Sequence, residues 1–224
     1  MKRRIIETAD GSRTILIEDW QEQYHSLHGA IAEAYHVFLQ SGLYKVNSAD
    51  VAILEIGFGT GLNALITFQE AQKRGLIVRY TGLEAYPVKK DELNQLNYVE
   101  MLSTSELSTP FQEMHELSWG DPHAITPYFS LRKLRMDFRD FSSGPAYNLI
   151  YFDAFGPRVQ PELWTPEVFG SMYKALLPSG ILVTYSAKGS VRRAMQQAGF
   201  LIEKLPGPPG KREMLRAVKS GISS

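Results

Sequence analysis

The stretch Val51-Ala-Ile-Leu-Glu-Ile-Gly-Phe-Gly-Thr-Gly-Leu-Asn63 decides the fold, because an apolar run of strand character breaks into a glycine turn and then opens a helix. Gly57, Gly59 and Gly61 admit positive φ and let a ligand lie against bare backbone. The helix that follows presents free N–H groups to whatever binds there. Strand, turn and helix in this order build a site for a nucleotide-like ligand at the end of an α/β sheet.

Spacing selects among such ligands. A dinucleotide turn runs G-x-G-x-x-G and holds a pyrophosphate, whereas this one is G-x-G-x-G with Glu55 two residues ahead of it. A carboxylate there repels a pyrophosphate and suits the ammonium end of a methionine moiety, which favours S-adenosylmethionine over NAD. A second run, Val78-Arg-Tyr-Thr-Gly-Leu-Glu84, ends in an acid placed to accept from a ribose diol. Both cofactor types need that acid, so Glu84 supports a nucleoside without choosing between them.

Working outward, strand 51–56 leads to helix 61–74, stopped by Gly75, and strand 78–84 leads to helix 88–99, with Pro87 near its start. Residues 102–130, with Pro110, Pro122 and Pro127, read as a helical or looped insertion before a strand from Leu131 to Met136. Then come strand Tyr147 to Phe152, a helix opened by Thr165-Pro166-Glu167 and running to about Leu177, strand Ile181 to Tyr185 and helix Val191 to Ala198. Phe200 to Leu205 and Met214 to Val218 close the chain as a hairpin around Pro206-Gly-Pro-Pro-Gly210. Ahead of all this, Asp10-Gly11 between two apolar runs signals a hairpin, and Tyr24 to Leu39 reads helical. The expected fold is α/β: an N-terminal hairpin-and-helix extension over 1–48, then a Rossmann-like domain over 49–224 with a mostly parallel sheet and a terminal antiparallel hairpin.

With 224 residues and 44% hydrophobic content the chain can bury one substantial core. No apolar stretch approaches the ~20 residues that span a bilayer, and Met-Lys-Arg-Arg-Ile-Ile-Glu lacks the apolar core of a signal peptide, so a cytoplasmic protein is expected. The absence of cysteine excludes disulfides, thiolate nucleophiles and cysteine-ligated zinc. His25 and His28 are three apart, yet no carboxylate is spaced to complete a metal site, and no metal is expected. Net charge is zero but uneven: from Ser186 onward eight basic residues face two acids, so that segment carries +6 and the rest −6. Such a segment is either a solvated face with a basic tail or a patch that meets phosphates.

Ligands of open α/β sheets lie beyond the carboxyl ends of the strands, where four acids stand: Glu55, Glu84, Asp137 and Asp153. Asp137 either accepts from an adenine amino group or caps the turn after it. Asp153 opens Asp-Ala-Phe-Gly-Pro157 and falls where a reactive methyl would sit, unless it only satisfies loop N–H groups. Phe155, Trp164 and Tyr185 neighbour it, and at least one of these aromatics is expected to be plain core.

Glu55-Ile-Gly-Phe-Gly-Thr-Gly-Leu-Asn63, Asp153-Ala-Phe-Gly-Pro157, Leu163-Trp-Thr165, Lys211-Arg-Glu-Met214 and Tyr24-His-Ser-Leu-His-Gly-Ala30 resemble the methyltransferase domain of the bacterial enzyme that makes 5-methylaminomethyl-2-thiouridine at the tRNA wobble position. The resemblance runs from about residue 14 to 217. It implies a class I S-adenosyl-L-methionine-dependent methyltransferase that acts on the 5-aminomethyl intermediate. It also implies the stand-alone form, with a separate FAD-dependent oxidoreductase working on the same nucleoside. Carried onto these motifs, Tyr24, Glu55, Gly57, Gly59, Thr60, Gly61, Asn63, Glu84 and Asp137 hold the cofactor. Asp153 and Phe155 serve catalysis, and Trp164 meets the substrate. Tyr24 and Phe155 offer π-faces to a sulfonium, and Arg192, Arg193, Lys211 and Arg212 are the cations expected to meet tRNA. Three other readings stay open: a nicotinamide oxidoreductase, disfavoured by glycine spacing and Glu55; a non-catalytic RNA-binding module, disfavoured by the four strand-end acids; and a small-amine methyl- or aminopropyltransferase, against which the +6 segment counts.

Overall fold

In a computed structural model describing residues 2–221, the glycine turn lies at the centre of an eight-stranded sheet. β1 (Arg3–Glu7) and β2 (Arg13–Ile17) pair antiparallel across Asp10-Gly11, and β3 (Glu22–Gln23) joins β2 to make a small separate sheet. α1 (Ala30–Ala34) runs on as a π-helical turn over Tyr35–Gln40, followed by β4 (Asp50–Ile56), α2 (Leu62–Arg74) and β5 (Ile77–Leu83). The middle of the chain holds α3 (Lys90–Leu93), α4 (Tyr98–Met101), α5 (Ser108–Glu116), β6 (Pro122–Thr126) and β7 (Phe129–Leu134). β8 (Tyr147–Phe152), α6 (Pro166–Ala175), β9 (Leu176–Thr184), α7 (Gly189–Gln197), β10 (Leu201–Pro206) and β11 (Glu213–Val218) complete it.

The large sheet has the order β10-β11-β9-β8-β4-β5-β7-β6. β4 pairs in parallel with β5 on one side and β8 on the other, while β6, β10 and β11 add antiparallel edges. The chain leaves β4 toward β5 and β7, then returns to β8 on the opposite side. The β4/β8 seam is therefore the switch point where open sheets of this kind place ligands. A central parallel strand is covered on both faces and becomes almost wholly apolar; in β4 only Asp50 is exposed. Val51 and Ile53 face one core with α1 and α2, whereas Leu54 and Ile56 face the other with α6 and α7, following the two-residue period of a strand. Among the described residues no helix is long and apolar enough to cross a membrane.

Four expectations about local structure are corrected. Tyr24 does not start a helix: its N–H bonds to the Ile15 carbonyl at 2.9 Å, and Gly29, at φ 129°, holds the backbone outside helical space until Ala30. The helix expected over 88–99 breaks into α3 and α4, because Asn97 turns to the N-terminal hairpin, accepting from Arg13 N at 2.8 Å and donating to the Gly11 carbonyl at 3.0 Å. The stretch read as an insertion contains α5 and β6, and β7 starts at Phe129, two residues earlier than expected, where β6 supplies its antiparallel partner. α6 stops at Ala175, so β9 begins at Leu176 and passes an irregular step before Ile181.

Phe68 of α2 is 1% exposed and packs edge-on against Phe129, ring centroids 5.3 Å apart. Phe68→Ala should cost about 3–5 kcal/mol, read as a lower denaturation midpoint at unchanged slope. A loss below about 1 kcal/mol would contradict a close-packed contact there.

Candidate active site

Ile56 and Phe152 are register partners, so Gly57 and Asp153 leave the sheet side by side, and Asp153 N donates to the Ile56 carbonyl at 2.9 Å. The loops touch so closely that a Cβ on Gly57, which sits at φ 89°, would stand 2.7 Å from the Asp153 carbonyl oxygen. Gly59, at φ 50°, lies under the Tyr24 ring, where a Cβ would come within 3.1 Å. Bare backbone is thus needed twice in three residues, and between these loops, α1, β3 and the β10–β11 turn opens a cavity of about 360 Å³.

Asn63, in the first turn of α2, joins the two loops. Its Nδ2 donates to Glu55 Oε1 and to Asp153 Oδ2, each at 2.8 Å. Glu55 is fully buried, and burial pushes its carboxyl well above the ordinary range, with the nearby Asp153 charge adding to the effect. The Asn63 hydrogen bond and the nearby Tyr80 hydroxyl pull the other way without offsetting the burial. Asp153 is pushed up to about 7, first by burial and then by the Glu33 charge, while the Asn63 hydrogen bond and the Lys211 cation pull the other way. A carboxyl raised in the fold favours folding while protonated. Its contribution to stability is complete below the unfolded value near 3.8 and is lost as pH rises through about 7.

Of the residues singled out in the sequence, Tyr24, Gly57, Gly59, Thr60, Asn63, Glu84, Asp137, Asp153, Phe155 and Lys211 line the cavity together. Glu84 is held by the N–H groups of Gly59 (2.9 Å) and Tyr86 (2.8 Å), which fixes its carboxylate at the mouth. Tyr24 and Phe155 meet edge-to-face at 4.9 Å. Asp137 lies on the wall but caps the turn after it, taking the Arg139 N–H at 2.9 Å and the Arg139 guanidinium on both oxygens.

Other residues stand elsewhere. Glu55 lies behind Asn63, so it braces the amide and does not meet a ligand directly. Gly61 caps α2 at φ 74° and lies against His115. Trp164 is 5% exposed and packs on Phe152; a buried indole N–H needs an acceptor, and it finds the Phe155 carbonyl at 2.8 Å, so Trp164 supports the loop after β8 from beneath. Arg192, Arg193 and Arg212 lie off the cavity, while Lys211 is inside it, paired with Glu33 at 2.6 Å. Lys211 is therefore corrected from a surface cation to a pocket residue.

Glu22, Glu33, Arg3, Phe58 and Phe138 also line the cavity and carry no sequence signal comparable to the glycine turn. With them the wall holds five acidic side chains (Glu22, Glu33, Glu84, Asp137, Asp153) beside the cations Arg3 and Lys211, two of the acids, Glu22 and Asp137, being paired with Arg158 and Arg139 from outside the lining. His25, bonded to Thr14 Oγ1 at 3.0 Å, is kept neutral by burial, its titration pushed down to about 4. Among the described residues no group of three or more His, Asp or Glu could hold a metal ion. An acidic cavity floored by bare backbone suits a nucleoside that carries positive charge.

Residues 126–220 match the model of a family described as S-adenosyl-L-methionine-dependent methyltransferase. This chain carries an S-adenosyl-L-methionine-dependent methyltransferase domain. The tRNA 5-methylaminomethyl-2-thiouridine biosynthesis bifunctional protein MnmC of Paracidovorax citrulli is 31% identical over 210 residues, which make up 88% of this chain and 32% of that protein. Its namesake in Aeromonas hydrophila is 29% identical over 227 residues, covering 90% of this chain and 33% of that protein. The chain thus spans about a third of the length of these curated relatives. The crystal structure of MnmC2 from Aquifex aeolicus superposes with a TM-score of 0.80 at 25% identity, covering 98% of this chain and 71% of that one.

The methyltransferase domain has a cavity that fits its family's cofactor: a floor that a Cβ would fill, and acids for an ammonium, a ribose and a sulfonium. Gly57→Ala should weaken S-adenosyl-L-methionine at least tenfold in calorimetric titration, since the methyl both strains a left-handed backbone, at about 1–3 kcal/mol, and meets the Asp153 carbonyl. Unchanged affinity in a folded variant would show that the ligand lies elsewhere.

Proposed function

We propose that this chain transfers the methyl group of S-adenosyl-L-methionine to the primary amine of 5-aminomethyl-(2-thio)uridine at the tRNA wobble position, giving 5-methylaminomethyl-(2-thio)uridine. The observation that carries this reading is Asp153, a half-buried carboxyl pushed up to about 7 and fixed by Asn63 beside the glycine cradle on the cavity wall. The nature of the acceptor rests on the names of the relatives, which make 5-methylaminomethyl-2-thiouridine in tRNA.

When bound, S-adenosyl-L-methionine supplies an electrophilic methyl group on a sulfonium. Gly57, Gly59 and Thr60 would form the floor beneath it, Glu84 would meet the ribose, and the faces of Tyr24 and Phe155 would stabilise the positive charge. Asp137 and Asn63 would complete the cofactor's surroundings.

A primary alkyl amine has a pKa near the ~10.4 of lysine, and an ordinary carboxylate is too weak a base for it. Two effects close the gap: burial lowers the amine, and burial raises Asp153 to about 7, so the carboxylate orients the amine and takes up the proton it sheds. Holding amine and methyl in line accounts for much of the remaining rate.

Among the described residues the side chains of Arg193 and Arg212 are exposed and have no ion-pair partner, and with Arg192 they are the cations proposed to meet tRNA phosphates. A cytoplasmic location goes with that substrate, and a separate FAD-dependent oxidoreductase acting on the same nucleoside belongs to the same proposal.

Label from S-adenosyl-L-methionine should enter tRNA carrying 5-aminomethyl-2-thiouridine in a single turnover and leave tRNA with an unmodified wobble uridine unlabelled, as read by nucleoside analysis. Equal labelling of both, or of neither, would overturn the acceptor. Asp153→Asn should cut turnover by about 10²–10⁴-fold with cofactor affinity changed only a few-fold; full turnover would remove Asp153 from the chemistry.

A further inference from the structure

Lys211 is presented on a tight turn between β10 and β11, where Gly207 N donates to the Arg212 carbonyl at 3.1 Å and Lys211 N to the Pro208 carbonyl at 2.9 Å. Its ammonium lies 2.6 Å from Glu33 Oε2 and 3.9 Å from the centre of the Tyr185 ring. Both partners are held from behind. The other Glu33 oxygen accepts from Ser26 N at 3.2 Å, and the Tyr185 hydroxyl donates to the Ala154 carbonyl, next to Asp153, at 2.8 Å.

A carboxylate whose side chain is 8% exposed, set beside an aromatic face, is what an alkyl ammonium needs once water is stripped from it. The group now on it is a primary amine on a flexible four-carbon stem, the same chemical class as the acceptor's aminomethyl group. Tyr185, Glu33, Lys211 and Asp153 line one cavity, and Asp153 feels both members of the ion pair: the Glu33 charge raises it while the Lys211 charge lowers it. An ammonium on Glu33 is thus within electrostatic reach of the group that takes its proton.

We propose that Glu33 and the face of Tyr185 form the receptor for the acceptor's primary ammonium, and that Lys211 occupies this receptor until the acceptor displaces it. The proposal rests on the reading of the acceptor as an amine. Lys211 is one-third exposed, so its stem can swing outward by rotamer changes while the turn stays in place. The displaced cation then becomes available to a phosphate of the incoming nucleotide. The pocket exchanges one ion pair for two, and an acceptor lacking either the amine or the phosphate completes only half of the exchange.

Removing the internal amine should vacate the receptor. Ethylammonium chloride, titrated against sodium chloride at equal ionic strength, is expected to raise the melting temperature of Lys211→Met saturably. Its apparent affinity should be at least tenfold weaker for the wild type and for the Lys211→Met/Glu33→Gln double variant. Lys211→Gln, which keeps a polar head, serves as a second vacated form and should respond as Lys211→Met does. Equal responses in all proteins, or none in either vacated form, would overturn the proposal. Ethylammonium binding without methylation of tRNA would retain the receptor and discard the tRNA reading, whereas methylation of tRNA without ethylammonium binding would do the reverse.

Discussion

One side-chain amide holds the site together. Asn63 places a single NH₂ group between two carboxyls, the fully buried Glu55 of β4 and the half-buried Asp153 just past β8, which would otherwise repel each other. Two acids held on one amide nitrogen cannot both be charged at little cost, so the arrangement divides their roles. Glu55, fully enclosed, behaves as a brace that stays protonated well above the usual range. Asp153, at the cavity wall, is left near neutrality, where a carboxyl can both release and accept a proton. The glycine turn depends on the same contact, because the Asp153 carbonyl occupies the space a side chain on Gly57 would need.

Around that centre the N-terminal elements complete the cavity. Arg3 reaches Glu92 at 3.1 Å and the Tyr86 carbonyl at 3.0 Å, and Arg158 pairs with Glu22, so the small sheet is tied to both the β5 loop and the Asp153 loop. These links bring Trp20, Tyr24 and Glu33 over the glycine cradle. Gly210 packs against His28, where a Cβ would overlap the imidazole, so the closing hairpin and the N-terminal segment meet above the same cavity. Residues far apart in sequence thereby give the site its acidic wall and its aromatic faces.

What was legible in the sequence was local. The run from Val51 to Asn63 encodes strand, turn and helix in consecutive residues, and the alternation after it gives the parallel sheet, because each βα step carries its own punctuation. Asp153 and Glu84 were legible because strand ends are where such folds bind ligands. Glu33 was not: an acid inside Ala30-Ile-Ala-Glu-Ala34 reads as an ordinary helix residue until Lys211, 178 positions later, arrives beside it. Trp164 looked like a substrate contact because composition does not show which side of a loop an indole takes. Helix 88–99 failed for a related reason, since Asn97 serves the N-terminal hairpin and no pattern around it announces that partner.

The most direct measurement is a ¹³C NMR titration of the Asp153 side-chain carboxyl in the wild type, assigned by its loss in Asp153→Asn. Burial between Asn63, Glu33 and Lys211 predicts a midpoint near 7. A midpoint at the ordinary 3.8 would contradict a desolvated Asp153 and remove the basis for proposing it as the proton acceptor.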